Sequence, residues 1–392
     1  DVYKRQHLMN TYARMPLAFE RGEGAWLWDE DGERYLDAIA GLAVCSLGHA
    51  HPELARVVGE QAGTLLHTSN LVRIPWQERL ADRLAEVTGM ERVFFGNSGA
   101  EAIECAVKMG RLAGRARGIE SPAIIVMNNG FHGRTLAALS ATGNRKVQAG
   151  FEPLVSGFLR APFGDLAAIE NIAANNRQVV AVLVEPIQGE AGVVTPPAGY
   201  LSGLRRACDE HGWLLMLDEI QSGLCRSGRW FAHQHEGIRP DVMTSAKALA
   251  NGLPIGACIA DGKAAELLQP GSHGSTFGGN PLVSRAACTV LDIMERDGMA
   301  EHAEITGERM MAAFKERLKN DERVREVRGR GLMIGIELSQ PAGAVKDYCL
   351  EQRVLINVAQ EHVIRLVPPL IISDDQAGMI VDAVCDGIAK LP

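Results

Sequence analysis

One rhythm restricts this chain's fold more than any other feature. Short runs of Val, Ile and Leu recur between longer segments whose apolar residues repeat at helical spacing. The runs at 92–95, 123–127, 179–184, 214–217 and 257–260 are, Arg92 apart, apolar on successive positions, not on alternate ones. Such a strand is stable only when both of its faces are covered. The stretches at 100–114, 165–175 and 201–211 supply helices for that cover, so the pattern predicts an α/β fold with a largely parallel sheet. After about residue 281 the texture changes: a helical pattern over 282–318 precedes short strand candidates at 331–338, 354–358 and 363–367. A Gly- and Asp-rich hairpin over 22–35 is expected to pack with that C-terminal part, giving a smaller α+β unit built from both chain ends. The divisions are placed at 1–62 (N-terminal segment of the small unit), 63–290 (large domain) and 291–392 (C-terminal small domain).

Composition narrows the function. Forty Lys and Arg against 48 Asp and Glu leave a net charge of −8 over 392 residues. An acidic chain lacks the field that holds a polyphosphate, so nucleic acid is not an expected partner. No membrane is expected either, because the longest clean apolar run is Val179–Val184, far short of the roughly 18–20 residues a spanning helix needs. The eight cysteines stand singly without a CxxC pair, which suits a reduced, cytoplasmic enzyme and not a disulfide scaffold or zinc site. Residues 1–6 join poorly to the segment after them and contain no apolar h-region, so they are read as no signal peptide and given no functional weight.

The strand ends carry the chemistry, because open α/β sheets bind ligands at their carboxyl edge. Leu214-Leu-Met-Leu217 runs directly into Asp218-Glu219, and a carboxylate placed there, partly desolvated, needs a cationic partner. Lys247 stands among small residues in Thr244-Ser-Ala-Lys-Ala-Leu249, surroundings that depress its pKa and make its amine nucleophilic. Taken singly, each is as readily a helix cap or a surface lysine. Asn97-Ser98-Gly99-Ala100-Glu101 opens a helix after a strand and offers N–H groups and a hydroxyl to a phosphate, although a Ser there is usually only an N-cap. In Phe131-His132-Gly133-Arg134-Thr135 the aromatic can stack on a flat ligand and Arg134 can clamp a carboxylate. Arg365 lies inside the apolar run Val363-Ile-Arg-Leu-Val367, where a guanidinium is rarely unpaired, and Glu190 or a bound carboxylate is its natural partner. Together these are the parts of a pyridoxal-phosphate site that acts on an amino acid.

From about Tyr12 to Pro392 the chain resembles a class III, ornithine/acetylornithine-type aminotransferase of fold type I. The likeness rests on the ordered blocks Asn97-Ser-Gly-Ala-Glu101, Phe131-His-Gly-Arg-Thr135, Glu185-Pro-Ile-Gln-Gly-Glu190, Leu217-Asp-Glu-Ile-Gln221, Ala246-Lys247, Gly274-Ser-Thr-Phe-Gly-Gly-Asn-Pro281 and Ile364-Arg-Leu-Val-Pro-Pro369. The resemblance implies a seven-stranded large domain that binds pyridoxal 5'-phosphate, with Lys247 as its covalent attachment point and proton shuttle. It further implies that Asp218 pairs with the pyridine nitrogen, Gln221 contacts the ring hydroxyl, Phe131 stacks on the ring, and Ser98, Gly99 and Ala100 hold the phosphate. Thr276 would reach the phosphate of a neighbouring subunit, making a homodimer with shared sites. Tyr12, Arg134, Glu190 and Arg365 would bind substrate. The implied reaction moves the terminal amino group of N-acetylornithine to 2-oxoglutarate, a step of arginine biosynthesis. Succinylornithine, succinyldiaminopimelate, ornithine and 4-aminobutyrate are close alternatives as donors, and a catalytically silent cofactor-binding protein is the alternative of another class. The chain departs from the family at Cys225, where Gly is usual, at Cys45 and Ile103, where Asn is frequent, and at Val72-Arg73, where an aromatic is common.

Three other signals carry less. Gly329-Arg-Gly331 opens no helix and is not a dinucleotide loop. The His49/His51 and His233/His235 pairs lack a third ligand at metal-site spacing, so no metal is expected. The Asp29-Glu-Asp31 run is a solvated turn.

Overall fold

The computed structural model describes residues 7–392, so the expectation for residues 1–6 lies outside the described residues. The expected hairpin is the middle of a three-stranded antiparallel meander, β1 (Phe19–Glu23), β2 (Trp26–Asp29) and β3 (Arg34–Asp37). Two helices come next, Pro52–Ala62 and Pro75–Thr88, each with proline in its first turn, where the missing N–H costs nothing.

The central sheet comprises β4 (Arg92–Gly96), β5 (Ala123–Met127), β6 (Phe158–Ala161), β7 (Val179–Val184), β8 (Leu214–Asp218), β9 (Val242–Ser245) and β10 (Gly256–Ala260), in the order β4-β10-β9-β8-β7-β5-β6. Neighbours from β9 through β6 pair in parallel, and β10 runs antiparallel to both of its neighbours. Every residue of β5 and β7 is buried, as their unbroken apolar runs require. The helix Gly99–Ala116 covers one face, packing Ile103, Val107 and Met109 with Ile124, Val180 and Met216. The helices Leu166–Asn175 and Tyr200–His211 cover the other, around Ile125, Val182 and Leu215. Each fully buried Leu, Ile or Val in these layers contributes roughly 1.5–3 kcal/mol. The sequence pattern did not reveal β6 and β9, whose four residues each, FLRA and VMTS, are too few and too polar for periodicity to register.

The long helical pattern over 282–318 is two helices, Pro281–Arg296 and Met299–Leu318, because Gly298 turns left-handed between them (φ +61°). Beyond lie β11 (Val324–Arg330), β12 (Met333–Leu338), β13 (Val354–Leu355), β14 (Asn357–Ala359) and β15 (Val363–Leu366). The strand expected at 331–338 therefore starts at Met333, after a turn from β11. The run expected at 354–358 is divided between sheets: β14 joins β11, β12 and β15, whereas β13 leaves to pair in parallel with β3, Val354 opposite Leu36. One apolar cluster runs from Leu36 and Leu47 through Val290 and Leu291 to Ile364 and Ile388, tying both chain ends to the helix Pro281–Arg296.

Candidate active site

Loops leaving the carboxyl ends of β4, β5, β7, β8 and β9 converge on a cavity of about 410 Å³. After β4, Ser98 caps the helix Gly99–Ala116, its Oγ accepting the Glu101 N–H at 3.2 Å. The N–H groups of Gly99 and Ala100 line the cavity and meet no protein acceptor among the described residues. Unsatisfied donors at the positive end of a long helix suit a phosphate.

After β5, the Phe131 N–H donates to Glu185 Oε1 at 2.8 Å, which joins this loop to the one after β7. His132 points inward, and its Nδ1 lies 2.8 Å from Asp218 Oδ2. Asp218, only 4 % exposed, also accepts the Ile220 N–H at 3.1 Å and the Thr244 hydroxyl at 3.3 Å. Burial by itself lowers the His132 pKa, but the bond and charge of Asp218 outweigh it and hold the imidazole above its ordinary value. Burial pushes the Glu185 carboxyl up to about 7, with the Asp218 charge adding to the rise. Asp218 thus pairs with a histidine whose basicity is raised, near a carboxyl that takes a proton more readily than usual.

Lys247 comes directly after β9 and Ala246 at φ +42°, a left-handed conformation that costs a non-glycine residue energy and is found where position matters. Burial lowers its pKa, aided by Arg365, while the carboxylates of Glu190, Asp218 and Glu185 oppose the drop. Behind Gln221, Arg365 donates from Nη1 to Glu190 Oε1 at 2.6 Å and from Nε and Nη2 to Asn357 Oδ1 at 3.0 and 2.8 Å. Its side chain is 3 % exposed and that of Glu190 36 %, so the carboxylate is the partner that can move away. Arg365 counters the burial of Glu190 and keeps that carboxyl below its usual range. Gln221 packs so closely on Gly189 that a Cβ there would lie 2.0 Å from its amide oxygen.

Ser98, Gly99, Ala100, Phe131, Arg134, Asp218, Gln221 and Lys247 therefore line one cavity, with Glu190 and Arg365 adjoining it. The exposed Arg134 sits 5.6 Å from the Phe131 ring centroid. Thr276 lies outside, on the exposed turn between Ser275 and Gly278. Tyr12 also lies outside, 70 % exposed beneath Arg14, because residues 7–17 form no strand or helix that would carry it inward. His132 and Glu185 do not stand out in the sequence. They lie inside the blocks at 131–135 and 185–190 that carry the family resemblance, but only the adjacency of the loops after β5, β7 and β8 gives them partners.

The remaining signals resolve locally. His49 pairs with Asp37 at 2.8 Å and His233 with Glu219 at 3.0 Å, and no group of three metal-ligating side chains occurs among the described residues. Asp29 accepts the N–H groups of Asp31 and Glu33 in its turn. Of the departures, Ile103 is buried against the sheet, Cys45 is half-buried, Val72 is 58 % exposed, and Arg73 pairs with Glu78 at 2.8 Å.

The family model for aminotransferase class-III matches residues 8–388. An acetylornithine aminotransferase from Nitrosomonas europaea is 56 % identical over 378 residues, covering 96 % of each chain. The ornithine aminotransferase of Toxoplasma gondii, whose structure holds PLP at partial occupancy in its active site, superposes with a TM-score of 0.95 at 33 % identity and covers 99 % of this chain and 93 % of that one. The N-acetylornithine aminotransferase of Stenotrophomonas maltophilia does so with a TM-score of 0.84 at 37 % identity, covering 96 % and 97 %. The residues present suit the cofactor of those proteins: open helix N–H groups for its phosphate, a buried acid for its ring nitrogen and a buried amine for its aldehyde. The chain belongs to the class III aminotransferases and is a pyridoxal-phosphate-dependent transaminase.

Proposed function

We propose that this enzyme transfers the terminal amino group of N-acetylornithine to 2-oxoglutarate, forming N-acetylglutamate semialdehyde and glutamate in arginine biosynthesis. One observation supports the two-substrate reading above the rest: a buried guanidinium, Arg365, adjoins the cavity with an exchangeable carboxylate already on it, Glu190. N-Acetylornithine has no carboxylate beside its reacting carbon, and during its half-reaction Glu190 keeps Arg365 paired. 2-Oxoglutarate brings its own carboxylate and displaces Glu190. Arg134, at the cavity wall beside Phe131, serves the distal carboxylate of both substrates. The relative named as an acetylornithine aminotransferase supports the choice of donor.

When bound, pyridoxal phosphate supplies the electron sink for transamination. Ser98, Gly99 and Ala100 would hold its phosphate, Phe131 would cover its ring and Gln221 would contact the ring hydroxyl. Asp218 would pair with the ring nitrogen, with His132 fixing which way its carboxyl group points. Lys247 Nζ, its basicity reduced by burial, takes the proton from the substrate carbon and returns it.

Two copies are taken to form a homodimer in which Thr276 serves the partner's phosphate. What supports this is the exposure of three large apolar side chains, Leu66 (53 % exposed), Leu71 (93 %) and Phe277 (59 %), on stretches that the Asn70–Ser275 hydrogen bond and the His67–Phe277 ring contact bring together beside Thr276. The reaction is placed in the cytoplasm, in keeping with cysteines that are all free. Among the described residues no helix is long and apolar enough to cross a membrane. An amino-donor panel with 2-oxoglutarate, ranked by kcat/KM, tests the assignment. A leading rate with ornithine or 4-aminobutyrate would overturn the donor, and a dead panel with bound cofactor would overturn the activity.

A further inference from the structure

Arg226 carries a charge that none of the transamination steps uses. It lies in the loop after β8, beyond Gln221, and none of its surface reaches solvent (0 % exposed). Among the described residues no carboxylate accepts from it. Its Nη1 donates to the carbonyls of Leu332 at 3.0 Å and Pro368 at 2.5 Å, its Nη2 donates to Ser46 Oγ at 3.3 Å, and its Nε meets no acceptor among the described residues. Burial pushes its pKa down to about 9, which leaves it charged at neutral pH. A buried charge whose hydrogen bonds all go to neutral groups, with the Asp37 carboxylate acting on it only through its field, is costly, and an apolar side chain of equal length would fill the same space at lower cost. Volume alone therefore does not account for an arginine here.

The acceptors belong to three stretches far apart in the chain. Ser46 is in the N-terminal segment, Leu332 is in the turn between β11 and β12, and Pro368 leaves β15 just after Arg365. The surrounding backbone runs along the same lines. The Leu332 N–H donates to the Arg226 carbonyl at 3.0 Å, the Val367 N–H to Ala38 at 3.0 Å and the Leu370 N–H to Ser46 at 2.7 Å. Gly331, at φ +55°, passes so near that a Cβ would lie 2.6 Å from the Arg226 carbonyl oxygen. A continuous path thus runs from Asp218 and Gln221 along the loop to Arg226, across to Pro368, and back along the strand to Arg365.

We infer that Arg226 is a positioning residue that sets the distance between the cofactor-binding end of β8 and Arg365, and so the affinity for the second substrate's carboxylate. The inference rests on the proposed role of Arg365 as the carboxylate-binding arginine. Carbonyl acceptors suit the task because backbone oxygens cannot swing away as a carboxylate side chain can. Arg226 is then the fixed member of the pair of buried arginines, and Arg365 is the one that exchanges partners.

The test uses the holoenzyme with Arg226→Met, Arg226→Lys and Ser46→Ala. The two half-reactions are followed separately by rapid mixing, glutarate binding is measured by calorimetry as a non-reacting dicarboxylate probe, and Tm is recorded. Arg226→Met is expected to weaken 2-oxoglutarate and glutarate about 10-fold or more while the N-acetylornithine half-reaction stays within about 3-fold. Arg226→Lys, which keeps the charge but spans fewer acceptors, is expected to recover part of the loss. Ser46→Ala removes one neutral contact and is expected to shift 2-oxoglutarate about 2-fold in the same direction. If Arg226→Met yields no folded protein, the asymmetry in the other two variants decides. Equal loss in both half-reactions, or a lowered Tm with unchanged substrate constants, overturns the inference. Arg365→Ala run alongside separates the two readings: no asymmetry there overturns the role of Arg365 and this inference with it, whereas asymmetry there but not at Arg226 overturns only this inference.

Discussion

Replacing Arg365 by alanine is expected to split the catalytic cycle in two. In the wild type the guanidinium holds Glu190 at 2.6 Å and Asn357 through two further hydrogen bonds, with 3 % of its side chain exposed. Glu190 is 36 % exposed, so its release into water when 2-oxoglutarate arrives costs little, and the incoming carboxylate takes over a charge-assisted contact that is already desolvated. Removing the guanidinium loses that contact outright, at about 2–5 kcal/mol, or about 30-fold to several thousand-fold in the 2-oxoglutarate half-reaction. The N-acetylornithine half-reaction places no carboxylate there and is expected to keep most of its rate. Arg134→Ala, by contrast, is expected to impair both halves, because both substrates carry a distal carboxylate. Rapid mixing with each substrate alone, monitored by the absorbance of the bound cofactor, reads the two halves independently. Equal impairment of both by Arg365→Ala would refute the exchange and leave Arg365 and Glu190 a fixed structural ion pair.

Lys247→Ala is expected to abolish steady turnover, and Asp218→Asn, with cofactor occupancy verified, to slow it by at least ~10²-fold. Steady-state rates of the purified variants check both. His49, lifted to about 9 chiefly by its bond to Asp37, binds its proton more tightly folded than unfolded. Its contribution is full below about pH 6.5 and is lost as pH rises through about 9. His49→Gln is therefore expected to remove about 1–2 kcal/mol at neutral pH, reduced for partial exposure, and to flatten the fall in Tm between those limits. Cys225→Gly is expected to change stability by less than about 1 kcal/mol, since relief of the left-handed φ of +69° offsets the loss of a small buried side chain, and thermal unfolding reads the balance.

What could be read from the sequence depended on whether a feature was local. β5 and β7 announce themselves because a strand buried on both faces is apolar at every position. β9 does not, because its last residues, Thr244 and Ser245, are polar and buried, with Thr244 turned toward Asp218. Helical spacing resumes directly after Gly298, but with its buried face shifted by roughly half a turn, and the left-handed backbone at Gly298 makes that break. Asp218 and the turn at Ser98 each sit at the end of an apolar run and were visible on that ground, and Lys247 was visible by the small residues that flank it. His132 and Arg226 were not, since each draws its role from strand order and from contacts with distant stretches. The same limit applies to Tyr12, whose exposed position reflects a segment that no neighbouring strand or helix secures.

The pairing of β13 with β3 sets an order on the making of the molecule. During synthesis the meander of β1, β2 and β3 leaves the ribosome early, but its last edge stays open until Val354 arrives opposite Leu36. Arg365 emerges later still, so the pocket for the cofactor is laid down well before the arginine that admits the second substrate. Throughout that interval β3 offers an unpaired edge to any other extended chain, the kind of exposure that invites aggregation. A nascent chain stalled just short of Val354 would thus hold the cofactor-binding strands in place while lacking Arg365, and its hazard would lie at the N-terminal sheet, far along the chain from the stall.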